Sequence, residues 1–359
     1  MGRFRREAGK RGVFADIARA CAVGAATFVF GAALAAVTPD GATSALPPLQ
    51  LEPGAVFTEF GPLPQRPLEA PDAVALGARL FDDPKLSGSG QIACASCHNR
   101  ELAFADGVSR SFGHDRTRLP RNAPSLATAG WMSTLFWDGR ADSLEAQAIM
   151  PILHPDEMRG SLPEVRRRLA ADASYRVAFT QAFGDADVTD GRIAQALAAF
   201  QRSLSPRRSR YSRFIAGEAD ALDAAQQRGL ALFRGKAGCA SCHNGPLLSD
   251  QRFHNLGLSF YGRPRQDLGR YAVTGAREDV GAFRTPSLLA VSRTAPYMHN
   301  GGLPTLPGVV AFYNAGGARP RPRGDQLDDP LFPETSALLR PRHLTREEQA
   351  DLVAFLEAL

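Results

Sequence analysis

Cys94-Ala95-Ser96-Cys97-His98 returns, letter for letter, at Cys239-Ala240-Ser241-Cys242-His243. Two cysteines separated by two residues, with a histidine following, form the attachment signature of a c-type haem. The spacing has a chemical reason. The thiols add across the two vinyl groups of the porphyrin, and the adjacent imidazole reaches the iron as its fifth ligand. On this reading Cys94, Cys97, Cys239 and Cys242 hold two covalently bound haem c groups, with His98 and His243 as proximal ligands. Three other readings compete. Zinc needs further thiolates or imidazoles at finger-like spacing, or both pairs sharing one metal across a long loop. A disulfide framework belongs to a shorter, cysteine-dense chain, and a thioredoxin-type pair needs no trailing histidine. Two identical copies in a chain with one other cysteine favour haem.

The 359 residues suffice for two domains of ordinary size. The 34 glycines and 26 prolines predict much loop, as wrapping a cofactor requires. The net charge of +5 is concentrated at the start, where Arg3, Arg5, Arg6, Lys10, Arg11 and Arg19 stand against Glu7 and Asp16. The remainder is nearly neutral, which argues against a nucleic-acid partner. A basic flank, an apolar run from Ala20 to Val37 and the small-x-small triplet Ala33-Leu34-Ala35 read as an export signal over residues 1–37. The run is at the short limit for a membrane span, so an uncleaved anchor in the inner membrane is the alternative. Either way the bulk of the chain is expected to be periplasmic, and Cys21 goes with the leader.

Residues 38–65, rich in Pro, Gly, Ala and Ser, read as a linker. An amphipathic helix from Pro71 leads through Gly88-Ser89-Gly90 to the first motif. A second, Ala225 to Phe233, leads to the second motif. A shift of 162 positions carries Pro124-Ser125-Leu126 onto Pro286-Ser287-Leu288, Asp138-Gly139 onto Asn300-Gly301 and Leu144 onto Leu306, with Arg121 one residue out of step with Arg284. This is an internal duplication. Helices are expected at Leu162–Phe183 and Ile193–Phe200, and a last one follows the Thr345 N-cap. No stretch alternates as a sheet would. The expected fold is mainly α and loop-rich: two cytochrome c-like haem domains, 66–222 and 223–359.

The second axial position on each iron sets its chemistry: a strong protein ligand makes an electron carrier, an open position a catalyst. The 162 shift sends Tyr313 to Pro151. A phenol can ligate iron and a proline ring cannot, so one haem is expected closed and the other open. Splitting peroxide heterolytically requires moving a proton between its oxygens, which a placed carboxylate can do. Glu157, in the Pro155-Asp156-Glu157-Met158 loop, is the candidate, with Gln147 on the preceding helix. A solvated loop acid is the competing reading. Trp137 is either a core aromatic or an electron relay, and His114 either a removable cap on the open iron or an exposed loop residue. Met298, on a tight turn, competes with Tyr313 less well because Tyr313 lies on the helix that follows.

LGARLFDDPKLSGSGQIACASCH, RNAPSL, FWDGRADSLEAQA, FRTPSL and TAPYMHNGG together resemble the bacterial di-haem cytochrome c peroxidase family, MauG-like branch, from about residue 66 to the end. The resemblance implies that His98 serves the peroxidatic haem, Glu157 is its acid–base carboxylate, Gln147 its distal partner and Trp137 the inter-haem bridge. It further implies one calcium ion held by Asn122, Thr294 and Pro296, and His114 as the removable ligand. Tyr313 stands where the well-known peroxidases carry Met and looks like the MauG-like branch. The surface Trp that MauG uses on a protein substrate is replaced by Ala237. The expected function is an exported peroxidase reducing hydrogen peroxide with electrons from a cytochrome c or cupredoxin. A MauG-like oxidase acting on a protein substrate is the alternative, and a non-enzymatic electron carrier ranks third. A homodimer is one assembly consistent with the resemblance.

Overall fold

In a computed structural model residues 60–359 are described; the expected export segment, with Cys21, and most of the expected linker lie outside the described residues. The chain is helical and loop-rich, as the repeats and glycines predict. Ten α-helices are present among the described residues: α1 Pro71–Asp82, α2 Leu144–Leu153, α3 Leu162–Ala171, α4 Ala173–Phe183, α5 Asp190–Ser203, α6 Arg210–Ile215, α7 Ala224–Arg234, α8 Tyr271–Thr274, α9 Leu306–Asn314 and α10 Arg346–Glu357.

Each half is built on one pair of crossed helices. In α1 a proline opens the first turn, and Ala73, Leu76, Gly77, Leu80 and Phe81 make one apolar stripe. The stripe packs on Ile193, Ala196, Leu197 and Phe200 of α5. In α7, opened by a reciprocal Asp223–Gln226 cap, the stripe is Gly229, Leu230 and Phe233. It packs on Leu352, Phe355 and Leu356 of α10, which starts with the expected Thr345–Glu348 capping box. Both crossings close on a glycine. A Cβ at Gly77 would collide with the carbonyl oxygen of Ala196, and one at Gly229 with that of Asp351. Beside the second crossing Arg228 grips Asp351 with two bonds of 2.7 Å.

The 162-residue duplication is repeated element by element. Isolated bridges join Leu135 to Ala141 and Tyr297 to Leu303. Short turns fall at Ala129–Trp131 and Val291–Arg293. Helices α2 and α9 start at Leu144 and Leu306, each behind a hydroxyl cap, Ser143 and Thr305.

Four expectations need correction. The single helix over 162–183 is two, broken at Asp172, whose extended backbone lets its carboxylate cap Ser174 N at 3.0 Å. A small antiparallel sheet exists, Phe253–Asn255 (β1) on Ala282–Arg284 (β2), with Phe253 opposite Arg284; three-residue strands are too short to show alternation. Phe60 and Leu63, inside the expected linker, pack in the second core, where Phe60 lies 6.2 Å edge-on to Phe233. Tyr211 and Phe214 of α6 join that same core. The change of core therefore falls between Leu204 and Tyr211, ahead of 222/223.

Alanine is the better helix former by ~1 kcal/mol, yet Gly77→Ala and Gly229→Ala should each destabilise by about 1–3 kcal/mol, because the added carbon overpacks a crossing. Chemical denaturation of each variant checks this; a stabilised variant would show that the crossings have slack.

Candidate functional site

The two CASCH motifs fold alike because each is a single tight helical turn. Cys97 N and His98 N both donate to Cys94 O, at 3.1 and 3.0 Å, and Cys242 N and His243 N to Cys239 O, at 3.2 and 2.9 Å. That turn brings both sulfurs and the ring to one side. Each ring is then anchored through one nitrogen. His98 Nδ1 donates to Phe104 O at 2.7 Å and His243 Nδ1 to Leu248 O at 2.9 Å. Burial lowers the pKa of both imidazoles, so each is neutral with its Nε2 lone pair left for the cavity.

The accepting loops are themselves pinned, in the same way twice. Ser125 Oγ donates to Ala103 O at 2.6 Å and Ser287 Oγ to Leu247 O at 2.7 Å. In both halves the hydroxyl holds the carbonyl just before the one that receives the histidine. These two serines belong to the PSL repeats, which the sequence marked as duplicated without showing what they touch.

Both motifs line one cavity of about 910 Å³. Its wall includes Cys94, Cys97 and His98, Cys239, Cys242 and His243. All four thiols are unpaired. Burial pushes Cys94 and Cys239 up to about 12 and Cys97 and Cys242 up to about 11. They are neutral thiols. Among the described residues the motifs are not pooled into one metal-binding cluster; one thiol only, Cys242, comes near Asp250 and His254. Four free thiols, two imidazoles each with one nitrogen free, and a large apolar chamber between them fit two haems.

The cavity has two chemically different ends. Gln147 and Pro151 sit one turn apart on α2, and Glu157 follows in the loop; all three line the cavity. Burial first of all raises the pKa of Glu157, against the opposing charges of His154 and Arg140. Its own charge reaches the thiols of Cys94 and Cys97. At the other end Tyr313, on α9 where α2 has Pro151, also lines the cavity. Burial raises its pKa, helped by the nearby thiols of Cys239 and Cys242.

Between the ends Trp137 Nε1 donates to Asn122 O at 2.9 Å, and Asn122 N to His299 O at 2.7 Å. Trp137 lies 6.5 Å edge-on to His299, which stacks on Phe283 at 3.5 Å. Burial pushes His299 down to about 3, so it is a neutral ring within a stack. Asn122, Thr294 and Pro296 line the cavity too. Asn122 Nδ2 is committed to Val108 O at 2.9 Å, which leaves its Oδ1 as the available oxygen.

Of the site residues expected from sequence, His114 alone is off the cavity wall. It is no exposed loop histidine either: its side chain is 13% exposed, with Nδ1 3.1 Å from the Asp115 carboxylate. Its backbone N–H bonds the carbonyls of Asp156 and Glu157, both at 2.9 Å. His254 pairs with Asp250 at 2.8 Å, and His154 lines the cavity. Sequence reasoning missed the Arg121 cluster, in which Arg121 holds Asp138 at 2.6 Å and Asp267 at 2.7 and 2.8 Å. Asp267 lies in no recognisable motif, so only the folded chain reveals it.

A family model for the di-haem cytochrome c peroxidase, CCP_MauG, matches residues 71–220. The methylamine utilization protein MauG of Methylorubrum extorquens is 39% identical over 343 residues, 93% of each chain. Cytochrome-c peroxidase IdrP1 of Denitromonas iodatirespirans is 40% identical over 343 residues, 85% of this chain and 87% of the relative. A crystal structure of a MauG-like protein associated with microbial copper homeostasis superposes with a TM-score of 0.74 at 37% identity, covering 84% of this chain and 92% of that one.

Removing either serine strands a carbonyl beside an anchored imidazole. Ser125→Ala and Ser287→Ala should each cost about 0.5–1.5 kcal/mol in unfolding free energy, with Ser→Thr restoring most of it. Denaturant titration of the four variants decides the matter; alanine variants as stable as the parent would remove the hydroxyls from the anchoring.

Proposed function

The chain belongs to the di-haem cytochrome c peroxidase family, oxidoreductases acting on peroxide, and from that premise we propose that it reduces hydrogen peroxide to water at the Glu157 end of the cavity. The overall step consumes one peroxide, two electrons and two protons and releases two waters. The observation that carries this reading is the unequal pair at matched positions, Pro151 on α2 and Tyr313 on α9, both on the cavity wall.

When bound, the haem at the first motif supplies the iron at which peroxide is reduced, and the haem at the second supplies a store for the arriving electrons. The rest falls to the chain. His98 and His243 would hold the haems through Nε2, the nitrogen not spent on Phe104 O or Leu248 O. Pro151, whose ring cannot ligate a metal, would leave the first haem a position for the substrate. Glu157, protonated to higher pH than a solvated carboxyl because it is buried, gives and retakes the proton between the two peroxide oxygens. Gln147, one turn before Pro151, orients the substrate through its amide. Trp137, tethered to Asn122 O, relays electrons between the halves. Tyr313 would hold the second haem as its phenolate, which would favour the oxidised state and lower the potential. His114, joined to the Glu157 loop through its backbone, is the removable ligand only if that segment moves its ring onto the cavity wall. A calcium ion on Asn122, Thr294 and Pro296 belongs to the same reading. The expected setting is the periplasm, with a small cytochrome c or cupredoxin as donor. No helix among the described residues is long and apolar enough to cross a membrane.

The alternative, oxidation of a partner protein's side chains, is favoured by the 39% identity to a methylamine utilization protein MauG. Against it stands Ala237, which is 6% exposed and lines the cavity, so that position offers no surface aromatic. Trp131 is covered by the Arg66 guanidinium at 3.4 Å.

Glu157→Gln should retain both haems and lose about 10²–10⁴-fold in the rate of peroxide reduction, the usual worth of a placed acid–base group. Stopped-flow mixing with peroxide measures it, and an undiminished rate would remove Glu157 from the chemistry. Tyr313→Phe should convert one ferric centre from low spin to high spin in electron paramagnetic resonance. Two unaltered signals would mean that the phenol is not a ligand.

A further inference from the structure

Arg284 is the last residue of β2, 7% exposed, and on the cavity wall. Its guanidinium meets no carboxylate among the described residues. Nε reaches Phe136 O at 3.3 Å, while Nη1 meets the thioether sulfur of Met132 at 3.0 Å and Thr285 O at 3.5 Å. Burial, with no charge opposing it, pushes its pKa down to about 10, which still leaves it cationic at neutral pH. A buried charge without a counter-ion is costly, and one is normally found paired.

The nearest comparison lies in the other half. Arg121, Arg284's near-counterpart in the duplication, is neutralised by two carboxylates of the chain itself, Asp138 and Asp267. Arg284 has no such pair among the described residues. Its place is also distinctive. Its backbone N donates to Trp137 O at 2.8 Å, its side chain crosses to Phe136 and Met132 of the first half, and Ser287 three residues on pins the His243 loop. The missing anion therefore has to enter the cavity at the seam between the halves, carried by whatever fills it.

We propose that Arg284 binds a carboxylate of a porphyrin, a haem propionate, at this seam. The assignment rests on the two haems read above. A planar guanidinium matches a carboxylate with two parallel bonds, and a cation fixed beside a porphyrin favours the reduced iron, which carries less positive charge. Arg284 thus acts as a positioning residue for the cofactor and raises the potential of the centre whose propionate it holds.

The test uses the haem-loaded protein. Haem is first counted as the pyridine haemochrome, and the midpoint potentials of both centres are then measured by spectroelectrochemistry in the parent, Arg284→Gln and Arg284→Lys. With two haems per chain, Arg284→Gln should lower one potential by at least a tenfold change in the reduction equilibrium, about 59 mV for one electron. Arg284→Lys, which keeps the charge, should recover most of that shift. Two haems with both potentials unmoved in Arg284→Gln overturn the assignment alone; a parent carrying fewer than two overturns the haem reading and this assignment with it. Should Arg284→Gln fail to load haem, a crystal structure of the loaded parent decides. A propionate oxygen within about 3.2 Å of an Arg284 nitrogen is expected, and none within hydrogen-bond reach refutes it.

Discussion

An imidazole has two nitrogens, and in each half of this molecule one of them is spent on a backbone carbonyl. That commitment governs the rest. It fixes the tautomer and the tilt of the ring, so that a neutral Nε2 faces the cavity without further adjustment. The carbonyls can serve only if their loops hold still, and Ser125 and Ser287 hold them. The crossed pairs α1–α5 and α7–α10 in turn form the cores on which the motif turns rest. The chain is organised from a hydrogen bond outward, with each layer limiting the freedom of the one inside it.

Duplication supplies two such anchored rings, and divergence makes them unequal. The backbone has barely drifted: α2 and α9 keep the same start and the same kind of cap. The differences lie in a few side chains that face the cavity. Pro151 against Tyr313 changes what can approach a metal. Glu157 adds an acid whose pKa is raised by burial. Arg121 and Arg284 divide the charge differently, one paired with two carboxylates and the other, among the described residues, meeting a carbonyl and a thioether sulfur.

Much of this was legible in the sequence, because its strongest signals are local or periodic. CASCH announces haem attachment, and the 162 shift announces a duplication, at whose spacing the fold repeats bridges, turns and helix starts. Thr345 announces its capping box. What escaped depends on long-range partners or on very short elements. Asp172 breaks a helix that looks continuous in periodicity, because its side chain caps the next one. The strands β1 and β2 span one and a half side-chain alternations and leave no pattern. Asp267 reaches Arg121 across 146 positions. Nothing local to Arg284 shows that, among the described residues, no acid meets it. The sequence leaves His114 as either a cap on the open iron or an exposed loop residue; in the fold its ring is mostly covered and its backbone N–H bonds the carbonyls of Asp156 and Glu157.

Phe60 gives the topology a last consequence. The chain lays this ring against Phe233 before it builds α1, and it returns to the same core with Tyr211 and Phe214 after α5 is complete. Arg66, between the two, donates to Leu204 O at 2.8 Å and so clasps the two crossing strands of chain together. The halves are thus interlaced like the ends of a belt through its buckle. Cutting at the boundary that the repeat suggests would take from the C-terminal piece three aromatic rings of its own interior. The second core is therefore closed by residues that lie on both sides of the first in sequence.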